Sequence, residues 1–77
     1  MTDRREPKAT DPLVLWRLRR GGSTAHATVF PGNGPVTVTW FIDNVMDRAE
    51  NYDRMEIALA RADEIRGLLE RDGWQEI

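Results

Sequence analysis

Val36-Thr37-Val38-Thr39-Trp40-Phe41-Ile42, followed at once by Asp43-Asn44, is the stretch on which the fold turns. Its side chains alternate. Val36, Val38, Trp40 and Ile42 share one face of an extended chain, and Thr37, Thr39 and Phe41 share the other. The β-branched and aromatic content suits a pleated, half-buried strand. Asp and Asn tolerate left-handed backbone better than most residues, so Asp43-Asn44 predicts a two-residue hairpin. An antiparallel strand should then run from Val45 to Asn51 or Tyr52. Its apolar residues, Val45, Met46, Ala49 and Tyr52, fall on mixed faces, and a helical start near Val45 is the competing reading.

Upstream, Pro31-Gly32-Asn33-Gly34-Pro35 is a strong turn, with glycines that permit positive φ and prolines that stop a ladder. Before it, Ser23 to Phe30 alternates Ala25, Ala27 and Val29 with His26, Thr28 and Phe30. Gly21-Gly22 is a second turn signal. It closes a hairpin with Leu13 to Arg20, where Val14, Trp16 and Leu18 should share one face and Leu13, Leu15, Arg17 and Arg19 the other. Residues 1–11 are polar and precede Pro12. They read as a flexible tail, and residues 12–77 as a single domain.

Downstream the period changes. Met55, Ala58, Leu59, Ala62, Ile65, Leu68 and Leu69 recur at spacings of three and four, which predicts an amphipathic helix. Asp53 is the expected N-cap, with Glu56 completing a box-like start. Gly67 is an expected point of close approach to the sheet. Gly73 suits the left-handed position after a helix, and Trp74 should fold back on the last turn. The expectation is an α+β protein: an antiparallel three- to four-stranded β-meander packed on one C-terminal α-helix, in ββββα order. Val14, Trp16, Leu18, Ala25, Ala27, Val29, Val36, Val38, Trp40 and Ile42 would meet the helix, because two layers around one core is the usual solution.

The chain has 77 residues and no cysteine, which excludes a disulfide framework and a thiolate metal site and points to the cytoplasm. Its charged first residues are not a signal peptide, and no apolar stretch approaches a membrane span. The net charge is −2, but it is unevenly placed. Residues 1–38 hold six Lys/Arg and three Asp/Glu, whereas residues 39–77 hold five and ten. A basic hairpin and an acidic helix suggest solvated surfaces of opposite sign, a polar binding face, or a head-to-tail contact between copies.

The chain carries no phosphate-loop, zinc-protease or nucleophile-elbow motif. His26 is the only histidine, without a nucleophile or carboxylate that alternation would aim at it, so it reads as an ordinary sheet-surface residue. Asp43, Asp47, Glu50 and Asp53 do not have calcium-loop spacing and read as structural. Trp16 and Trp40 read as core. No enzyme activity, metal, cofactor or small-molecule substrate is expected.

Leu15-Trp16-Arg17-Leu18-Arg19-Arg20-Gly21-Gly22, Val38-Thr39-Trp40-Phe41-Ile42-Asp43 and the helix closed by Asp72-Gly73-Trp74 together resemble a recurrent type of small uncharacterised bacterial protein. Such proteins have a basic first hairpin and a helix ending in Gly-Trp. The resemblance spans residues 13–74 and implies a bacterial source but no particular function. The ββββα order is also similar, in topology alone, to one repeat of the Pur and Whirly single-strand-binding families.

One helix cannot cover both faces of the sheet. The uncovered face should gather Leu15, Arg17, Arg19, Phe30 and Phe41, and this is the expected site for a protein partner or a second copy in a homodimer. The alternative is single-stranded nucleic acid, held by Lys8, Arg17, Arg19, Arg20, Phe30 and Phe41.

Overall fold

The computed structural model describes residues 12–31 and 35–77. The expected tail, with Lys8, and the middle of the Pro31–Pro35 turn lie outside the described residues. The strands are β1 (Leu13–Arg20), β2 (Ser23–Phe30), β3 (Val36–Ile42) and β4 (Val45–Tyr52). They are followed by helix α1 (Met55–Arg71) and a short strand β5 (Gln75–Glu76). All pairings are antiparallel, and the sheet order is β4-β3-β2-β1-β5. The β-meander and its covering helix match the sequence reading. The fifth strand is the addition: the chain returns after α1 and pairs Gln75 and Glu76 with Arg19 and Leu18. The residue after it, Ile77, donates its N–H to the Arg17 carbonyl at 3.2 Å.

Asp43 and Asn44 adopt φ of 51° and 66°, the paired left-handed geometry that a two-residue hairpin needs. β4 is a strand along its whole length, and the helical alternative fails. Its mixed pattern has a local cause. The register to β3 slips between Phe41↔Met46 and Trp40↔Arg48, which leaves Asp47 as an extra, bulged residue. The extra residue puts Met46 and Ala49 on one face although they lie three apart. Arg48, Glu50 and Tyr52 then point toward the helix.

A second bulge corrects the reading of β1. Val14 pairs with Thr28, Trp16 pairs with Ala27, and Leu15 between them has no partner. Trp16 and Leu18 are buried as expected, but Val14 is 47% exposed on the face opposite the core. Leu15 instead packs against the core cluster. One inserted residue exchanges the two side chains between faces.

The core joins Trp16, Leu18, Ala25, Ala27, Val29, Val36, Val38 and Trp40 of the sheet to Ala58 and Ala62 of α1, with Trp74 at one end. The alanines of β2 and α1 let the layers approach. The indole Nε1–H of Trp16 donates to the Ala62 carbonyl at 3.0 Å, a buried bond between the layers. Met55, Ile65 and Leu69 pack partly against this core, but Leu59 and Leu68 are largely exposed, so the covering stripe is narrower than the sequence periodicity implied.

Arg54, not Asp53, occupies the N-cap position, and no side chain caps the first turn. Arg54 instead pairs with Glu56. At the other end Gly73 has φ of 99°. The Trp74 N–H reaches the Leu69 carbonyl and the Gly73 N–H the Glu70 carbonyl, each at 3.1 Å. These are the two bonds of a Schellman ending. Trp74 folds back after the helix and reaches the core, under the Arg20 guanidinium 5.3 Å from its ring centre. Gly67 does not approach the sheet: a Cβ there would meet nothing within 4 Å. Among the described residues, no helix is long and apolar enough to cross a membrane.

Candidate functional site: the open face of the sheet

The strand pairings fix which side chains share the face opposite α1. Arg17, His26, Phe41 and Met46 form one row across β1–β4. Val14, Thr28, Thr39 and Ala49 form the next. Phe30, Thr37 and Asn51 form a third toward the Pro31 end, where Thr37 donates to the Asn51 amide oxygen at 2.7 Å. Arg19 and Thr24 lie on the other side of the Arg17 row.

The rings of His26 and Phe41 stack, with centres 4.4 Å apart and planes inclined by 7°. Neighbouring strands are themselves about 4.8 Å apart, so stacked cross-strand rings must stand up from the sheet. Partial burial, and then the positive Arg17 beside it, hold the imidazole pKa below its ordinary value. His26 is therefore an apolar-leaning member of the row near neutral pH, not a cation. Phe30 is 42% exposed and Met46 62% exposed. Between them lies a low surface of threonine, valine and alanine.

The carboxylates are sorted between the faces, whereas arginines occur on both. The described strand pairings place Arg17 and Arg19 on the open face and no Asp or Glu. The carboxylate at its margin, Asp43, already holds the hairpin end: it accepts from the Thr24 N–H at 3.0 Å and from the Ser23 hydroxyl at 3.3 Å. The acidic groups sit on the helix side. There Glu50 accepts from Tyr52 and from Arg48, and lies 3.6 Å from Arg61 Nε. The Tyr52 bond leads in holding the Glu50 carboxyl below its ordinary pKa, with Arg48 and Arg61 adding to it. Burial and Glu50 push the Tyr52 phenol up. The network ties β4 to α1, a structural role of the kind expected for this acidic stretch. Asp53 is the exception, since its cap role is not realised.

Four of the expected partner residues, Arg17, Arg19, Phe30 and Phe41, do come together on this face. Leu15 does not, for it lines a shallow recess with Trp16, Leu59 and Arg66 on the helix side. Arg20 leaves the candidate nucleic-acid set as well. Its guanidinium binds the Asp72 carboxylate at 2.8 Å and the Asp72 carbonyl at 3.0 Å, behind the sheet. Val14 and Met46 belong to the site and escaped the sequence reading: Val14 owes its face to the bulge at Leu15, whereas Met46 stands opposite Phe41 as the Asp43-Asn44 hairpin dictates, and the mixed apolar pattern of β4 beyond it hid that register.

A further cleft, of about 140 Å³, lies on the helix side, lined among others by Trp40, Ile42, Ile65, Leu69 and Arg48. Ligand pockets usually run from roughly 300 to 1,000 Å³, so this one is small for a metabolite. No known family, curated protein or solved structure matches this chain.

Proposed function

We propose that this chain is a non-catalytic binding module whose open sheet face docks a protein surface. One observation carries the reading. Among the described residues, the face combines Phe30, Phe41, Met46 and two arginines with no carboxylate. Aromatic, Met and Arg side chains are enriched where proteins meet, and Asp and Glu are depleted. The four long strands span about 19 Å by 26 Å, so the face offers roughly 500 Å² in projection. That is somewhat below the ~800 Å² of accessible surface per partner in a stable complex, which suits a reversible contact. The cysteine-free sequence supports a reducing compartment, the cytoplasm.

The test is a double variant, Phe30→Asp with Met46→Asp, whose positions lie outside the core. Sedimentation of the purified protein and capture from extracts of its host are compared for wild type and variant, with melting temperature as the folding control. Loss of a self-contact or of a discrete captured protein, at unchanged melting temperature, supports the proposal. Identical behaviour in both assays rejects it.

Arg17 and Arg19 beside an aromatic stack also favour a second reading, single-stranded nucleic acid. Among the described residues neither arginine has a carboxylate partner. Two phosphate contacts on a single strand would give a salt slope of only about −1.4 in log K against log salt. Arg17→Glu should abolish such binding, and no binding of a pyrimidine oligonucleotide at low salt eliminates it.

A further inference from the structure

The two edges of the sheet differ in chemistry. The outer side of β4 meets no other strand, but the Asp47 bulge and the charged Arg48 and Glu50 blunt it. At the other edge β5 lies outside β1, antiparallel to it, and covers only part of it. Gln75 and Glu76 stand opposite Arg19 and Leu18, and the Ile77 N–H reaches the Arg17 carbonyl. Among the described residues, nothing pairs with the outer side of Leu13-Val14-Leu15-Trp16. This open stretch carries no charge, and Leu13 and Val14 are each about half exposed. An uncharged, exposed edge segment is a template for a further strand.

We propose that the Leu13–Trp16 edge of β1 receives an extended peptide segment of a partner protein, laid antiparallel to β1 and in line with β5. The chain itself shows what this edge accepts, because residues 75–77 already add to it in that way. The proposed segment continues an interface that the fold has begun. It occupies the edge of the sheet and does not depend on the open face.

Alternation along β5 sets Glu76, opposite Leu18, on the helix side and Ile77, opposite Arg17, on the open face. One step further along that line, the residue opposite Trp16 returns to the helix side. There a recess of about 170 Å³ lies between β1 and α1, lined by Leu15, Trp16, Leu59, Ala62, Asp63 and Arg66. Arg66 links the two places, since its guanidinium lies 3.6 Å from the Glu76 carboxylate. A cavity of roughly 150 Å³ admits a benzene ring, so the recess has room for one branched or aromatic side chain. The bulge shapes it: Leu15, with no partner in β2, turns to the helix side beside Trp16, and the two supply the sheet wall. Strand addition draws affinity from main-chain hydrogen bonds and selectivity from such pockets. Four open residues span only about 13 Å, so the contact is short and reversible.

The test selects a random heptapeptide library, displayed on phage, against the full chain. Peptides sharing one apolar position should be enriched, and are then synthesised. Their binding should slow amide hydrogen exchange at residues 13–16. N-methylation at alternate peptide positions, which removes main-chain donors and keeps the side chains, should weaken binding about tenfold. Leu59→Asp, at a largely exposed residue of the recess, should weaken it at unchanged melting temperature. No enriched peptide, or binding indifferent to both changes, overturns the proposal. Protection centred on Phe30, Phe41 and Met46 instead overturns the edge site and leaves the open face as the docking surface. Slow exchange at residues 13–16 before any peptide is added means that the chain fills its own edge. Protection that grows with chain concentration makes the occupant a second copy. Either result overturns the partner segment.

Discussion

Gly67→Ala should stabilise this protein, and the size of the gain follows from its surroundings. Gly67 lies inside α1, and an added methyl would meet no atom within 4 Å. The substitution therefore brings no clash and little new packing. What remains is backbone entropy: glycine in a helix interior is less favourable than alanine by about 1 kcal/mol. For a domain of this size, 1 kcal/mol raises the melting temperature by roughly 4–8 °C. Against a total stability of about 4–10 kcal/mol, such a gain is easily resolved. The assay is thermal and urea unfolding followed by far-UV circular dichroism at low protein concentration, so that self-contact does not enter. A higher urea midpoint with unchanged slope is the expected result. An unchanged or lower melting temperature would refute the reasoning, and would mean that Gly67 makes a close contact after all.

The helix ends and the core give further tests. Gly73→Val forces a β-branched residue to φ of 99° and should cost at least 1–2 kcal/mol, read as a lower urea midpoint. Arg54→Asp should supply the missing N-cap and gain about 1 kcal/mol, whereas Asp53→Ala should leave the melting temperature nearly unchanged. Val29→Ala removes a fully buried side chain and should cost on the order of 1–3 kcal/mol, seen in the same melts. His26 gives a pH dependence. Its folded pKa lies below the ordinary 6.5, so its contribution to stability is complete above 6.5 and is lost as the pH falls from there through the folded value. The melting temperature should drop on acidification across that window, and His26→Gln should flatten that part of the profile.

How far the sequence reveals this molecule depends on whether a local pattern had one physical meaning. β3 and its hairpin were legible because alternation, β-branching and the Asp43-Asn44 turn all agree. Gly73 was legible because few other residues end a helix in that conformation. The face of Leu13-Val14-Leu15-Trp16 was not, since four apolar residues in a row carry no alternation to reveal the bulge at Leu15. Asp47 conceals a second bulge among polar neighbours in the same way. Asp53 and Arg54 differ by one position, and the entry of the chain from β4 decided between them. A two-residue strand such as β5 has no periodicity at all. The site was partly legible for the same reasons. Arg17, Arg19, Phe30 and Phe41 follow from simple alternation and Met46 from the Asp43-Asn44 hairpin, whereas Leu15 and Val14 depend on the bulge at Leu15. Arg20 was placed by Trp74 and Asp72, more than fifty residues away in the chain.

The most direct measurement is site-specific photo-crosslinking in living cells, with a benzophenone side chain in place of Phe30 or Met46 on the open face and in place of Asp53 as the control. The account predicts discrete protein adducts from positions 30 and 46 and none from 53, with adduct mass distinguishing a second copy from another protein. No adduct from either open-face position, or equal adducts from all three, would contradict it.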